Sequence, residues 1–123
     1  MNQKPKVLIV DDELFNIDYL QQELEDCNYN LITAYNGEEA LVKIKSELPD
    51  LVLLDLMMPV LDGFAVLRQV KADPDLRDIP VIIISAANNS RSVVKGIRQG
   101  AEDYITKPID EKLLVEKLKE YLG

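Results

Sequence analysis

Asp55 closes the apolar run Leu51-Val52-Leu53-Leu54 and is followed by Leu56-Met57-Met58-Pro59-Val60-Leu61-Asp62-Gly63. Four aliphatic residues in a row read as a buried strand, so this carboxylate rides to the tip of a strand inside a packed sheet. Charging it there costs free energy unless neighbouring groups compensate the lost hydration. A second apolar run, Val7-Leu8-Ile9-Val10, ends in Asp11-Asp12-Glu13, and a third, Val81-Ile82-Ile83-Ile84, ends in Ser85. A fourth strand delivers Tyr104-Ile105-Thr106-Lys107-Pro108. Acids, a hydroxyl and an amine therefore fall at four strand ends.

Each feature alone has a plain structural explanation. Asp-Asp-Glu before a helix can serve as an N-cap with dipole-favouring acids. Asp62-Gly63 reads as a turn and cap and is kept outside the site. Ser85 alone could be an ordinary strand-end hydroxyl, Lys107 a surface lysine and Tyr104 core-edge packing. Met57 and Met58 read as loop packing, because thioethers do not suit hard cations. The coincidence of all four strand ends is what these explanations do not supply.

The elements that must position these groups alternate regularly. The segment 6–10 reads as a strand and 14–27 as a helix, with Ile17, Leu20, Leu24 and Cys27 at three- and four-residue spacing. Segment 31–35 is a second strand, and Asn36-Gly37 leads into a helix over 38–48, stopped by Pro49. Strand 51–54 is followed by a helix over 63–71 with Phe64, Leu67 and Val70 on one face. Strand 81–84 follows the loop bracketed by Asp73-Pro74 and Ile79-Pro80. Segment 88–99 is the weakest helix, apolar only at Val93, Val94 and Ile97, with Gly96 inside it. A short strand near 103–105 precedes a last helix capped by Asp110, with Leu113, Leu114, Leu118 and Tyr121 as its core face. Five strands interleaved with five helices imply an α/β fold: a doubly wound parallel sheet covered on both faces. Ligands of such sheets bind at the carboxyl ends of the strands.

At 123 residues, 47 % of them hydrophobic, the chain suits one domain with one core, taken as 1–123. Fourteen basic against 22 acidic side chains give 14 − 22 = −8, which disfavours direct nucleic-acid or anionic-membrane binding. No apolar run approaches the ~18 residues of a membrane helix. Cys27 is alone and reads as a small core hydrophobe, and no signal peptide precedes the first strand. A cytoplasmic location is the expectation. The absence of histidine excludes a phosphohistidine carrier or a histidine-ligated metal within this chain.

Together, Asp11-Asp12, the segment from Asp55 to Gly63, Ser85-Ala86-Ala87, and Tyr104 with Lys107-Pro108 resemble the receiver domain of two-component response regulators, as in the chemotaxis response regulator. The resemblance covers essentially the whole chain. It implies a flavodoxin-like strand order of 2-1-3-4-5 and phosphorylation of Asp55 by a sensor histidine kinase or phosphotransfer protein. It implies Mg²⁺, with Mn²⁺ or Ca²⁺ able to substitute. Asp12 and Asp55 would ligate directly, Met57 would give its backbone carbonyl, and Asp11 would act through water. Lys107 would pair with Asp55 at rest and with a phosphoryl oxygen afterwards, aimed by a cis Lys107-Pro108 peptide, while Ser85 would donate its hydroxyl to another phosphoryl oxygen. Tyr104 would swing from exposed to buried, changing the surface of the fourth helix, fifth strand and fifth helix. The domain would catalyse only its own phosphorylation and slow dephosphorylation, and so is not an enzyme acting on other substrates.

Departures from the family pattern shape further expectations. Ser85 stands where threonine is frequent, which loosens coupling. Met57 and Ala87 flank the phosphoryl position without polar groups to hold an attacking water, which implies a long-lived phosphoryl state. A haloacid-dehalogenase-type phosphatase needs a second acid two residues after the nucleophile, where this chain has Met57. Dinucleotide binding is disfavoured because no G-x-G-x-x-G follows the first strand. A degenerate receiver, serving as a phosphorylation-independent docking or dimerisation module, remains the alternative. The output partner is not legible, a homodimer is open, and the chain reads equally as a stand-alone receiver or a piece of a longer protein.

Overall fold

The computed structural model describes residues 4–58, 61–86 and 89–123. Along the chain run β1 (Lys6–Val10), α1 (Leu14–Leu24), a 3₁₀ turn (Glu25–Cys27), β2 (Asn30–Ala34), α2 (Gly37–Glu47) and β3 (Leu51–Leu54). Then come α3 (Gly63–Ala72), β4 (Val81–Ser85), α4 (Ser90–Arg98), β5 (Asp103–Thr106) and α5 (Glu111–Leu122). The five strands form one parallel sheet in the order β2-β1-β3-β4-β5, as the resemblance implied.

The unbroken aliphatic strands follow from having helices on both faces. Successive strand residues point to opposite sides. Leu8, Val10, Val52, Leu54 and Ile83 therefore pack with α2 and α3 residues such as Ile44 and Leu67. Val7, Ile9, Leu53, Ile82, Ile84 and Ile105 pack with Ile17, Leu20 and Leu24 of α1 and Leu114 and Leu118 of α5. Cys27 sits half-buried against this second core, as a small hydrophobe would. No helix among the described residues is long and apolar enough to cross a membrane.

Several boundaries differ from the periodic pattern for identifiable reasons. The first helix tightens into a 3₁₀ turn after Leu24, and Asn28 then takes the left-handed conformation (φ 61°), which asparagine tolerates better than most residues. Leu48 leaves α2 with φ 47° just before Pro49, its N–H still donating to the Ile44 carbonyl. β2 runs 30–34 rather than 31–35, because its register is set by pairing with Lys6–Val10. In α5 only Leu114 and Leu118 are buried, leaving Leu113 and Tyr121 more than a third exposed. In α4 the sparse apolar pattern left the inward face open, and the structure settles it. Val94 and Ile97 are each 45 % exposed, and Gly96 is the buried residue. The helix begins at Ser90 rather than 88, and Asn88, like Ala87, Pro59 and Val60, lies outside the described residues.

Candidate functional site

The carboxyl ends of β1, β3, β4 and β5 converge as the pattern demands. Hydrogen bonds to neighbouring strands hold each site residue. The Asp11 N–H donates to the Ala34 carbonyl (3.2 Å), the Asp55 N–H to that of Val10 (3.0 Å), and the Lys107 N–H to that of Ser85 (2.9 Å). Asp11 and Asp55 are 2 % and 5 % exposed and Ser85 is fully buried, whereas Asp12 faces solvent. One carboxylate oxygen from each of Asp11, Asp12 and Asp55 lies within 4.8 Å of the others.

Lys107 Nζ completes the cluster, 3.1 Å from Asp11 Oδ2 and 3.7 Å from Asp55 Oδ2. The expected partner, Asp55, is thus the more distant of the two. The Lys107-Pro108 peptide is cis, as expected. Burial first, then the Asp11 charge, pushes the Asp55 carboxyl up to about 6, against the opposing pull of Lys107 and of the Met57 N–H; Asp12 adds a smaller upward push. That N–H donates to Asp55 Oδ1 (3.2 Å), while the Met57 side chain is 66 % exposed. Three convergent carboxylates with one ammonium leave net negative charge in a buried pocket, and every candidate donor is oxygen. The residues fit a small hard cation such as Mg²⁺.

The acids after β1 do not cap α1 through their side chains. Its N-cap is Glu13, which makes no side-chain cap bond, and Asp11 Oδ1 instead accepts from the Glu13 N–H (3.0 Å). Asp62 is an N-cap, accepting from Ala65 N–H (2.9 Å), as expected. Its neighbour Gly63 belongs closer to the site than the sequence suggested. A Cβ there would fall 2.4 Å from the Asp55 carbonyl oxygen and 2.7 Å from Leu56 Cα, backbone atoms that cannot yield. Only glycine lets α3 start directly against the Asp55 backbone. The Asp-Gly pair was the available signal, but a turn and a close approach look alike in sequence.

Tyr104 is half-buried; burial pushes its phenol's pKa up, against an opposing pull from the neighbouring Ser85 hydroxyl. Two residues that sequence placed on separate strand ends thus lie on neighbouring strands and influence one another.

This fold and cluster of strand-end groups define a doubly wound α/β domain with an acidic site at the carboxyl ends of its strands, and comparison with known proteins identifies the family. The response regulator receiver domain family matches residues 7–119. The response regulator PleD of Caulobacter vibrioides is 40 % identical over 114 residues, covering 93 % of this chain and 25 % of PleD. Protein PilH of Pseudomonas aeruginosa is 38 % identical over 118 residues, 96 % of this chain and 98 % of PilH. Among solved structures, a CheX-CheY-BeF3-Mg complex from Borrelia burgdorferi aligns at a TM-score of 0.88 and 34 % identity, over 94 % of this chain and 87 % of that one. The chain belongs to the response regulator receiver domain family. It spans about a quarter to a half of the length of the first curated relatives it matches.

Proposed function

We propose that this receiver domain accepts a phosphoryl group on Asp55 from a phosphohistidine of a histidine kinase or phosphotransfer protein. The observation that carries this is the buried Asp55 carboxyl, pushed up to about 6 beside Asp11 and Asp12 with Lys107 within reach. An Asp55 oxygen attacks the phosphorus, the P–N bond breaks, and its electron pair leaves on the donor imidazole nitrogen. Asp11, Asp12 and Asp55, with the Met57 carbonyl, would hold Mg²⁺; bound there, it supplies positive charge to offset that of the transferring group.

Within the chain, Lys107 contributes an ammonium to one phosphoryl oxygen and Ser85 a hydroxyl to another. Recruiting Ser85 alters its interaction with Tyr104 on the neighbouring strand, which transmits phosphorylation to the face of α4, β5 and α5 and thence to an output partner. The domain acts on its own carboxylate and on no other substrate. A groove of about 260 Å³ lined by Phe15, Tyr19, Lys107, Pro108 and Ile109 adjoins the site. It shares Lys107 with the carboxylates, and Phe15 is 79 % exposed at its edge. The phosphohistidine-bearing partner docks there, because a donor reaching Asp55 must cover the adjoining surface.

Intact mass after incubation with acetyl phosphate tests the chemistry. One phosphoryl adduct should form, require Mg²⁺, be lost in alkali and be absent in Asp55→Asn. No adduct under any condition would favour a docking module that works without phosphorylation.

A further inference from the structure

α4 rests on the sheet in an unusual way. Its one buried residue is Gly96; Val93 is half-buried, and Val94 and Ile97 are each 45 % exposed, so no large apolar side chain of α4 is fully sunk in the core. A Cβ on Gly96 would fall 2.5 Å from Ile83 Cδ1, at the fully buried Ile83 of β4. The same Cβ would lie 3.5 and 3.7 Å from Cδ2 and Cε2 of the Tyr104 ring. The bare Cα therefore lets the helix lie flush on Ile83 while the Tyr104 ring occupies the adjoining space. Elsewhere α4 is tethered by Lys95, whose Nζ lies 4.2 Å from the centroid of the Phe64 ring in α3, while its own start is closed by the Asn89 N-cap, which accepts from the Ser92 N–H.

We propose that Gly96 is the positioning residue of the switch: it forms the seat for the Tyr104 ring, so that the height of α4 above β4 and the placement of Tyr104 against Ser85 are one variable. A ring leaving the seat frees α4 to settle differently, and a lifted α4 opens the seat. This rests on the receiver assignment for its role in signalling, but the seat itself is a property of the resting protein. Interiors are close-packed and bistable rather than continuously deformable, so one methyl group at this contact is felt. In helix propensity alanine is the better residue, so Gly96→Ala does not damage α4 itself.

The experiment uses protein labelled with 3-fluorotyrosine, with the Tyr104 ¹⁹F line identified by its absence in Tyr104→Phe. Gly96→Ala should move that line toward the shift of free fluorotyrosine in the resting state. The shift induced by beryllofluoride with Mg²⁺, a phosphoryl stand-in, should fall by about fivefold or more. Ile83→Val in the Gly96→Ala background removes the obstructing Cδ1 and should return the line to its wild-type position. Acetyl phosphate adduct formation on Asp55 should stay within about twofold of wild type, since Gly96 touches no reacting group. An unmoved Tyr104 line in Gly96→Ala, or a moved line that Ile83→Val does not restore, overturns the seat. Failure of wild-type protein to form any adduct overturns the receiver chemistry instead, and the resting-state line still decides the seat.

Discussion

Lys107 Nζ lies 3.1 Å from Asp11 Oδ2, closer than its 3.7 Å separation from Asp55 Oδ2. One ammonium is shared between two buried acids, and Asp55 holds the looser share. Lys107→Met removes an attraction that lowers the Asp55 pKa. The Asp55 carboxyl should then titrate above its present value of about 6. Carboxylate NMR in EDTA reads this directly, and an unchanged or lower midpoint would contradict it. Adduct formation with acetyl phosphate should slow by about 10²-fold, the usual cost of losing one preorganised cationic or hydrogen-bonding group at a developing charge.

The raised Asp55 carboxyl also makes metal-free stability depend on pH. Its folded-state pKa, about 6, lies above the ordinary 3.8 of an aspartate in the unfolded chain. The folded protein therefore binds this proton more tightly than the unfolded chain does. The resulting stabilisation is full below about pH 4 and is lost as pH rises through about 6, amounting to roughly 2–3 kcal/mol. Asp55→Asn should lack this fall. Urea denaturation in EDTA between pH 4 and 8 should show wild type losing stability relative to the variant, and parallel curves would refute it. Added Mg²⁺ should flatten the wild-type curve, because a bound cation favours the charged carboxylate.

Met57 bears on the lifetime of the phosphoryl group. Its side chain is 66 % exposed beside Asp55 and cannot hold an attacking water by a hydrogen bond. The phosphorylated domain should persist for minutes or longer, and Met57→Asn should shorten that several-fold. Decay followed by intact mass checks both. A wild-type lifetime of seconds, little changed by the substitution, would count against the idea.

Phe15 separates protein donors from small ones. Exposed beside Lys107 and Pro108, it has no part in the carboxylate cluster. Phe15→Ala should slow phosphotransfer from a cognate phosphohistidine protein by about tenfold or more, the effect expected of an exposed aromatic anchor. The rate with acetyl phosphate should hold. Equal loss with both donors would place Phe15 in the site's own architecture.

The sequence by itself determined the sheet and the ends that matter. Runs such as Val81–Ile84 are too short and too aliphatic for amphipathic helices; Asp11, Asp55 and Lys107 follow strands directly, and Ser85 ends one. Strand-end chemistry is local, so it survives in one dimension. Strand order came through family resemblance rather than periodicity, since no run of apolar residues records which neighbour it pairs with. Tertiary structure decided the rest. It gave Lys107 to Asp11 as well as Asp55, set Tyr104 and Ser85 on neighbouring strands, and brought Gly63 against the Asp55 backbone. In α4 it buried Gly96 while leaving Val94 and Ile97 half in water, which the weak apolar pattern of that helix did not specify. Hydrophobicity predicts which side chains gain by burial, but a helix seated closely on a sheet is governed by steric space, and there the residue with no side chain faces inward.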